Sequence, residues 1–275
     1  MLKTLCIAFL AFPLVWYAES TSPQNSQQPE KVAEGQYMDW KDGHIVQDTS
    51  QSWALWKTRD GFELSDQLPP NKADALMGTL GQAIRSSMSP KLQTEFDHST
   101  ILQSISARFT KDWAVEELEL RGARLSDGKT VEIAHCTATG QRTICKGANG
   151  RVQADASAHF LDSHLFPLLF TEFVRSSGAG VSKPTELKFA ILDEKAKKLN
   201  LALVSSLLRN AGPDKLAIGQ YGLQANKYVL DMKESSAAWQ ITLWASSDGL
   251  ILAMEDSRNP GLRTELTKYK KYAAF

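Results

Sequence analysis

The chain has 275 residues with 31 basic and 31 acidic side chains, so its formal net charge is zero, and 43% of it is apolar. That is enough chain and enough apolar side chain for one large or two small folded domains. With no basic excess and no polybasic cluster, nucleic acid and an anionic membrane surface are poor candidates as partners.

At the N-terminus, Lys3 precedes an almost wholly apolar run from Leu5 to Ala18, and Ala18-Glu19-Ser20 offers small residues for a cleavage site. This predicts a secretory signal peptide over 1–20. A run of about 14 apolar residues falls short of the roughly 20 that cross a bilayer, so no transmembrane span is expected after cleavage. Cys6 has too little chain before it to be a lipoprotein cysteine. Residues 21–34, rich in Ser, Gln, Pro and Glu, have almost nothing to bury and predict a disordered tether, with an antiparallel β domain over 35–275.

Short strands follow at Tyr37–Trp40, His44–Asp48, Trp53–Thr58 and Phe62–Gln67, and Pro69-Pro70 stops the sheet. Asn71 then caps a helix whose Ala73, Leu76, Met77, Leu80, Ala83, Ile84 and Met88 share one face, with Pro90 as its end. Strands resume at Leu92–Phe96, Ile101–Phe109 and Trp113–Leu125; in the last, Leu118 and Leu120 alternate with Glu117, Glu119 and Arg121, so one face is solvated.

Two cysteines remain after export, Cys136 and Cys145. If Gly140-Gln141 is a two-residue hairpin loop, Thr139 faces Arg142 and Cys136 faces Cys145 across a non-hydrogen-bonded pair. Cα atoms there approach to about 4.5 Å, within the range of a disulfide. Such a staple fits an oxidising compartment. The rival reading, a metal site built from His135, Cys136 and Cys145, lacks a fourth ligand.

Residues Arg151–Ala156 read as a further strand, and His159–Phe173 is a continuous apolar run split by Pro167, too short for a membrane span and expected as a buried plug or helix. Residues 176–184, rich in Ser and Gly, are where a boundary between subdomains would fall. Beyond them lie strands at Glu186–Leu192 and Lys198–Leu208, a turn at Asn210–Asp214, a strand at Leu216–Leu223, and a last strand at Leu262–Tyr272. Between these last two strands, Tyr228–Asp256 folds as a hairpin about Asp248-Gly249. Asp-Gly supplies the positive φ angles a tight hairpin needs, and apolar side chains on both faces of this hairpin mean that both are covered or that one lines a cavity. The pattern Trp-x-x-x-Asp-Gly-apolar-x-Leu occurs at Trp56–Leu64 and again at Trp244–Leu252, and further Asp-Gly pairs at 42–43 and 127–128 complete the grammar of a meander. One such match is thin evidence for internal duplication, because Asp-Gly turns recur by local chemistry alone.

No nucleophile elbow, phosphate loop, zinc helix or calcium loop is present, so neither a familiar enzyme nor a cofactor is expected. The densest polar cluster is His159, Asp162, Ser163 and His164; on a helix His159 and Asp162 share a face, which keeps a hydrolase or metal-dependent enzyme as an alternative. The strand tryptophans, Trp239 and Trp244 among them, suit either sheet packing or ligand stacking.

An apolar leader, a polar tether, antiparallel strands with Asp-Gly turns, an apolar insert over 162–176 and the run Trp244–Leu250 together resemble bacterial exported curved-sheet, half-barrel proteins. Outer-membrane lipoprotein carriers, their receptors and related uncharacterised periplasmic families are of this kind. The resemblance implies a mainly β fold, a long antiparallel curved sheet with one or two short covering helices, and an acyl chain held in the concave face. The expectation is therefore a non-catalytic exported protein, periplasmic or extracellular, that holds a lipid or other amphiphile against Trp239, Trp244, Leu252, Phe166 and Phe170. The competing expectation is that the helices fill the concave face, leaving a ligand-free scaffold with an envelope protein as partner.

Overall fold

The computed structural model describes residues 29–273, apart from 47–48, 68–84, 98–99, 140–141, 148–149, 156–158, 163–166, 177–183, 194–199, 219–220 and 235–236. The signal peptide, most of the helix expected over 71–88, Phe166 and His164 lie outside the described residues.

The strands are β1 (Glu30–Lys41), β2 (His44–Ile45), β3 (Gln51–Lys57), β4 (Gly61–Gln67), β5 (Thr100–Thr110), β6 (Val115–Arg124), β7 (Thr130–Thr139) and β8 (Arg142–Gly147). They continue as β9 (Gly150–Asp155), β10 (His159–Asp162), β11 (Thr185–Asp193), β12 (Asn200–Ile218), β13 (Tyr221–Lys233), β14 (Ala238–Ala245), β15 (Ile251–Asp256) and β16 (Leu262–Lys271). All belong to one mainly antiparallel 16-stranded sheet in which spatial neighbours follow chain order, except that β16 returns to pair with β1 and the small β2 hangs off β1. The meander is thus almost circular, and its ends are β9 and β10. β10 and β11 run parallel, which a short hairpin cannot connect. The crossover between them carries a 3-10 turn (Pro167–Phe170) and a helix (Thr171–Ser176). Residues 177–183, where a subdomain boundary was expected, lie outside the described residues, and the strands on either side of them pair in the same sheet.

Alternation puts one face of each strand into a single core. Val32, Tyr37, Trp53, Leu55, Phe62, Leu64, Ile105, Phe109, Leu118, Leu120, Leu230, Ile241, Leu243 and Ile251 all contribute to it. Tyr37 donates its hydroxyl to the Ile251 carbonyl at 2.8 Å, tying β1 to β15 through the interior. The cysteine hairpin has the expected register, with Thr139 opposite Arg142 and Cys136 opposite Cys145. The two are joined in a disulfide with Cα atoms 4.0 Å apart, and both are buried in the core.

Four expectations are corrected. The first strand starts at Glu30, ahead of the Gly35 boundary, because Glu30–Tyr37 finds a partner in β3. Leu92–Phe96 is helical, within Pro90–Asp97. Helical residues 85–86 do end ahead of Pro90, and Pro90 also opens the next helix: the Ser89 carbonyl accepts the Gln93 N–H at 2.9 Å, and a proline in the first turn has no N–H to leave unpaired. Asn210–Asp214 is a bulge within β12, where Asn210 Oδ1 accepts the Gly212 N–H at 2.8 Å and Gly212 has φ +88°. At Asp248-Gly249 only the glycine takes a positive φ, +84°. The loop there is longer than two residues, closed by Ser246 N–H to Leu250 O at 2.8 Å and Gly249 N–H to Ser246 O at 3.0 Å. The two-residue turn with both φ positive is at Asp42 (+50°) and Gly43 (+81°).

Past its bulge, the β12–β13 hairpin leaves the sheet. Residues 212–218 of β12 pair with 221–227 of β13, and β13 joins β14 only from Asn226 onward. This arm folds against the face of the sheet that points away from the core. Leu216 and Ala225 of the arm bury Trp244 and Ala253 in a second, smaller cluster.

Candidate functional site

The concave interior is the first place to look for a ligand, and the chain itself occupies it. Pro167, Leu168, Leu169 and Phe170 are all buried, followed by Phe173 and Val174, and Phe170 meets Phe173 edge-on at 6.3 Å. Arg175 anchors this plug. Its guanidinium lies 4.8 Å over the Trp113 ring and donates from Nε and Nη2 to the Asp248 carbonyl at 3.1 and 3.0 Å. Gly249 lets this happen, because a Cβ there would stand 2.6 Å from Arg175 Cγ. Trp113 in turn stacks on Phe62 at 4.7 Å. Both copies of the Trp-x-x-x-Asp-Gly-apolar pattern therefore converge on the plug, one through Phe62 and Trp113, the other through Asp248. Burial alone would favour the neutral Asp248 carboxyl, but Lys271 at 2.8 Å and the Ser246 hydroxyl hold its pKa below the usual aspartate value. Burial lowers the Arg175 pKa, against the attraction of Asp248.

Of the residues expected to bind an amphiphile, the four that are described, Trp239, Trp244, Leu252 and Phe170, do not form one site. Phe170 is in the plug and fully buried. Leu252 borders both clusters. Trp239 packs against the main core with the Arg258 guanidinium 4.7 Å over its ring. Trp244 points the other way, under the arm, where its Nε1 donates to Asp214 Oδ2 at 2.9 Å and Lys227 sits 5.2 Å over its ring. That indole hydrogen bond is the leading cause of a lowered Asp214 pKa. His159 and Asp162 are in β10, an extended strand, so the shared helical face that grouped them is absent. Among the described residues no group of three or more His, Cys, Asp or Glu side chains is placed to hold a metal.

Beside the arm, Glu265 of β16 is buried opposite Ala253 and ion-paired with Arg263, whose Nη2 also donates to Ala217 O of the arm at 3.2 Å. Burial raises the Glu265 pKa, Arg263 opposes this, and Glu255 adds to it. A carboxyl whose folded pKa is raised contributes stability that is present below its unfolded pKa and is lost as pH rises through the folded value. Glu265→Gln is therefore expected to raise the melting temperature above the usual glutamate range while leaving it nearly unchanged in acid. Thermal melts from pH 3 to pH 8 check this, and a variant less stable than the parent at neutral pH would show that the Arg263 ion pair outweighs the burial.

Away from the plug, the sheet surface carries an open groove of about 500 Å³ between the Asp42-Gly43 turn and the β15–β16 connection. Sequence reasoning missed it. Its polar side chains come from three separate stretches of chain, 40–43, 240–242 and 255–263, and the pairing of β16 with β1 brings the first against the others.

No family model matches the chain, and no curated protein matches it. Among solved structures it is similar to a beta-barrel-like protein of domain of unknown function DUF1849 from Brucella abortus, with a TM-score of 0.50 and 9% identity over 90% of this chain and 100% of that one. A DUF1089 family protein from Pseudomonas aeruginosa follows with a TM-score of 0.40 and 14% identity, over 74% of this chain and 87% of that one. The hypothetical lipoprotein YmcC from Escherichia coli has a TM-score of 0.30 and 13% identity, over 73% and 97%. Among the described residues no helix is long and apolar enough to cross a membrane. At this level of identity the likeness is one of architecture: the chain has the β-barrel-like fold of the Brucella protein, with its own sheet left unclosed between β9 and β10.

Proposed function

We propose that the protein is a non-catalytic, exported scaffold or interaction module of the cell envelope whose concave face is filled by its own chain. The observation that carries this reading is the cover on both faces of β14 and β15. Leu243, Ala245, Ile251 and Met254 belong to the plugged core, while Trp244 and Ala253 lie under the arm. The two-sided apolar pattern that suggested a ligand is thus satisfied from within. The buried Cys136–Cys145 disulfide supports export, since thiols stay reduced in most cytosols, and the apolar leader supports it as well.

An amphiphile in the concave face is the second reading, favoured by the sheet order, which ends at β9 and β10 without pairing them. Native mass spectrometry of protein purified from its own envelope, followed by organic extraction, separates the two. The expected result is the mass of the bare mature chain and no thermal shift with any lipid class. A co-purifying lipid that extraction releases would overturn the filled-interior reading.

A further inference from the structure

The groove at the β1 and β16 turns has a wall of Trp40 and a polar lining that includes Asp42, Gln240, Thr242, Glu255 and Asn259. What distinguishes it from ordinary polar surface is how little of that lining is committed elsewhere. Asp256 is held by Arg258, and Arg263 by Glu265 and the Ala217 carbonyl. By contrast, the side chains of Asp42, Thr242, Glu255 and Asn259 make no hydrogen bond or ion pair among the described residues. Gln240 gives its amide nitrogen to Asp231 at 2.8 Å and keeps its carbonyl oxygen. The Trp40 indole Nε1 is buried with no partner among the described residues, which is uncommon for a buried donor.

The chemistry of these groups selects a ligand class. The walls are too polar for an acyl chain. The carboxylates do not converge as metal ligands do. A ring bearing many hydroxyls suits all of them. Each carboxylate accepts from two hydroxyls, the Asn259 amide and Thr242 hydroxyl both donate and accept, and an indole offers its face to the C–H side of a pyranose. At about 500 Å³ the groove falls within the size range of small-molecule sites. We propose that this groove binds a saccharide unit, with Trp40 as the stacking wall and Glu255, Thr242 and Asp42 as the hydroxyl-reading groups. The site lies on the face away from the plug, so it does not depend on whether the concave interior holds a lipid.

The test uses the full mature chain, titrated with cellotriose, maltotriose and chitotriose by isothermal calorimetry and followed by tryptophan fluorescence. Binding of at least one trisaccharide is expected, weakened on the order of tenfold or more in Glu255→Gln, as loss of a charged hydrogen bond implies. Thr242→Val is expected to weaken it less, and Glu63→Gln, on a different part of the same face, to leave it unchanged. Both groove variants alter half-exposed side chains, and a melting temperature equal to the parent's confirms that they fold. No binding by any of the three sugars overturns the proposal. So does binding that Glu255→Gln and Thr242→Val leave intact, or a groove that takes spermine in preference to every sugar.

Discussion

Phe170→Ala is expected to lower stability by about 3 to 5 kcal/mol, the range for removing a fully buried phenylalanine from a core that cannot collapse around the gap. Phe170 has no exposed surface and packs among Leu168, Leu169 and Phe173 at the centre of the plug. The gap cannot close readily, because the plug is fixed at its end by Arg175, stacked on Trp113 and bonded to the Asp248 carbonyl. For a chain of this size each kcal/mol moves the melting temperature by about 2 to 4 °C, so a drop near 10 °C is expected in a thermal melt. A variant that melts with the parent would mean that the plug is not part of the cooperative core. The same variant also probes the second functional reading. If removing the ring opens space for an apolar guest, adding a lipid should restore part of the lost stability. In a chain whose interior serves no ligand, lipid should leave the melt where it is.

Local chemistry was enough to read some of this fold, and the reasons are visible residue by residue. The Cys136–Cys145 hairpin was legible because a two-residue loop dictates its register by counting. The apolar run His159–Phe173 was legible as a buried plug only in its second half, Pro167–Phe173; its first residues, His159–Asp162, are strand β10 of the sheet. Two local errors came from residues that serve opposite purposes. Ser89-Pro90 reads as a stop to a preceding helix, yet the same pair suits a helix start, and Leu92, Thr94 and Phe96 imitate strand alternation over a stretch too short to show a helical period. Asn210, Gly212 and Asp214 have the composition of a turn, and a bulge uses the same composition within a continuous strand. The larger gaps are long-range. The return of β16 to β1, the parallel β10–β11 pair and the folding of the arm onto Trp244 each depend on pairings that no local pattern encodes. Trp244 shows the consequence: its alternation placed it on a face, and only the arm decides that the face is covered. The groove was illegible for the same reason, since Trp40 and Glu255 are brought together by strand pairing alone.

Gly61→Ala is expected to cost about 3 kcal/mol, the upper end of the range for overpacking, even though Gly61 belongs to an Asp-Gly pair like the others. Its φ is not in the left-handed region, so turn conformation is not what demands glycine here. A Cβ on Gly61 would overlap the Phe109 carbonyl oxygen, a backbone atom of the neighbouring β5 that cannot swing aside. The strands would have to part where Gly61 pairs with Thr110, beside the Phe62, Phe109 and Trp113 rings that support the plug. Gly43 gives the contrast. Its φ is +81° and a Cβ there would meet nothing within 4 Å, so Gly43→Ala should carry only the left-handed penalty of about 1 to 2 kcal/mol. Urea unfolding of the two variants side by side checks this. If Gly43→Ala is the more damaging, strand contact at Gly61 is looser than described and turn conformation is the stronger constraint. The expected order also predicts a difference in kind. Gly61→Ala should disturb the near-ultraviolet signal of Trp113, whereas Gly43→Ala should leave it unchanged, because its turn lies at the opposite end of β1 from Glu30, whose partner Lys57 pairs in turn with Phe62, the ring stacked on Trp113.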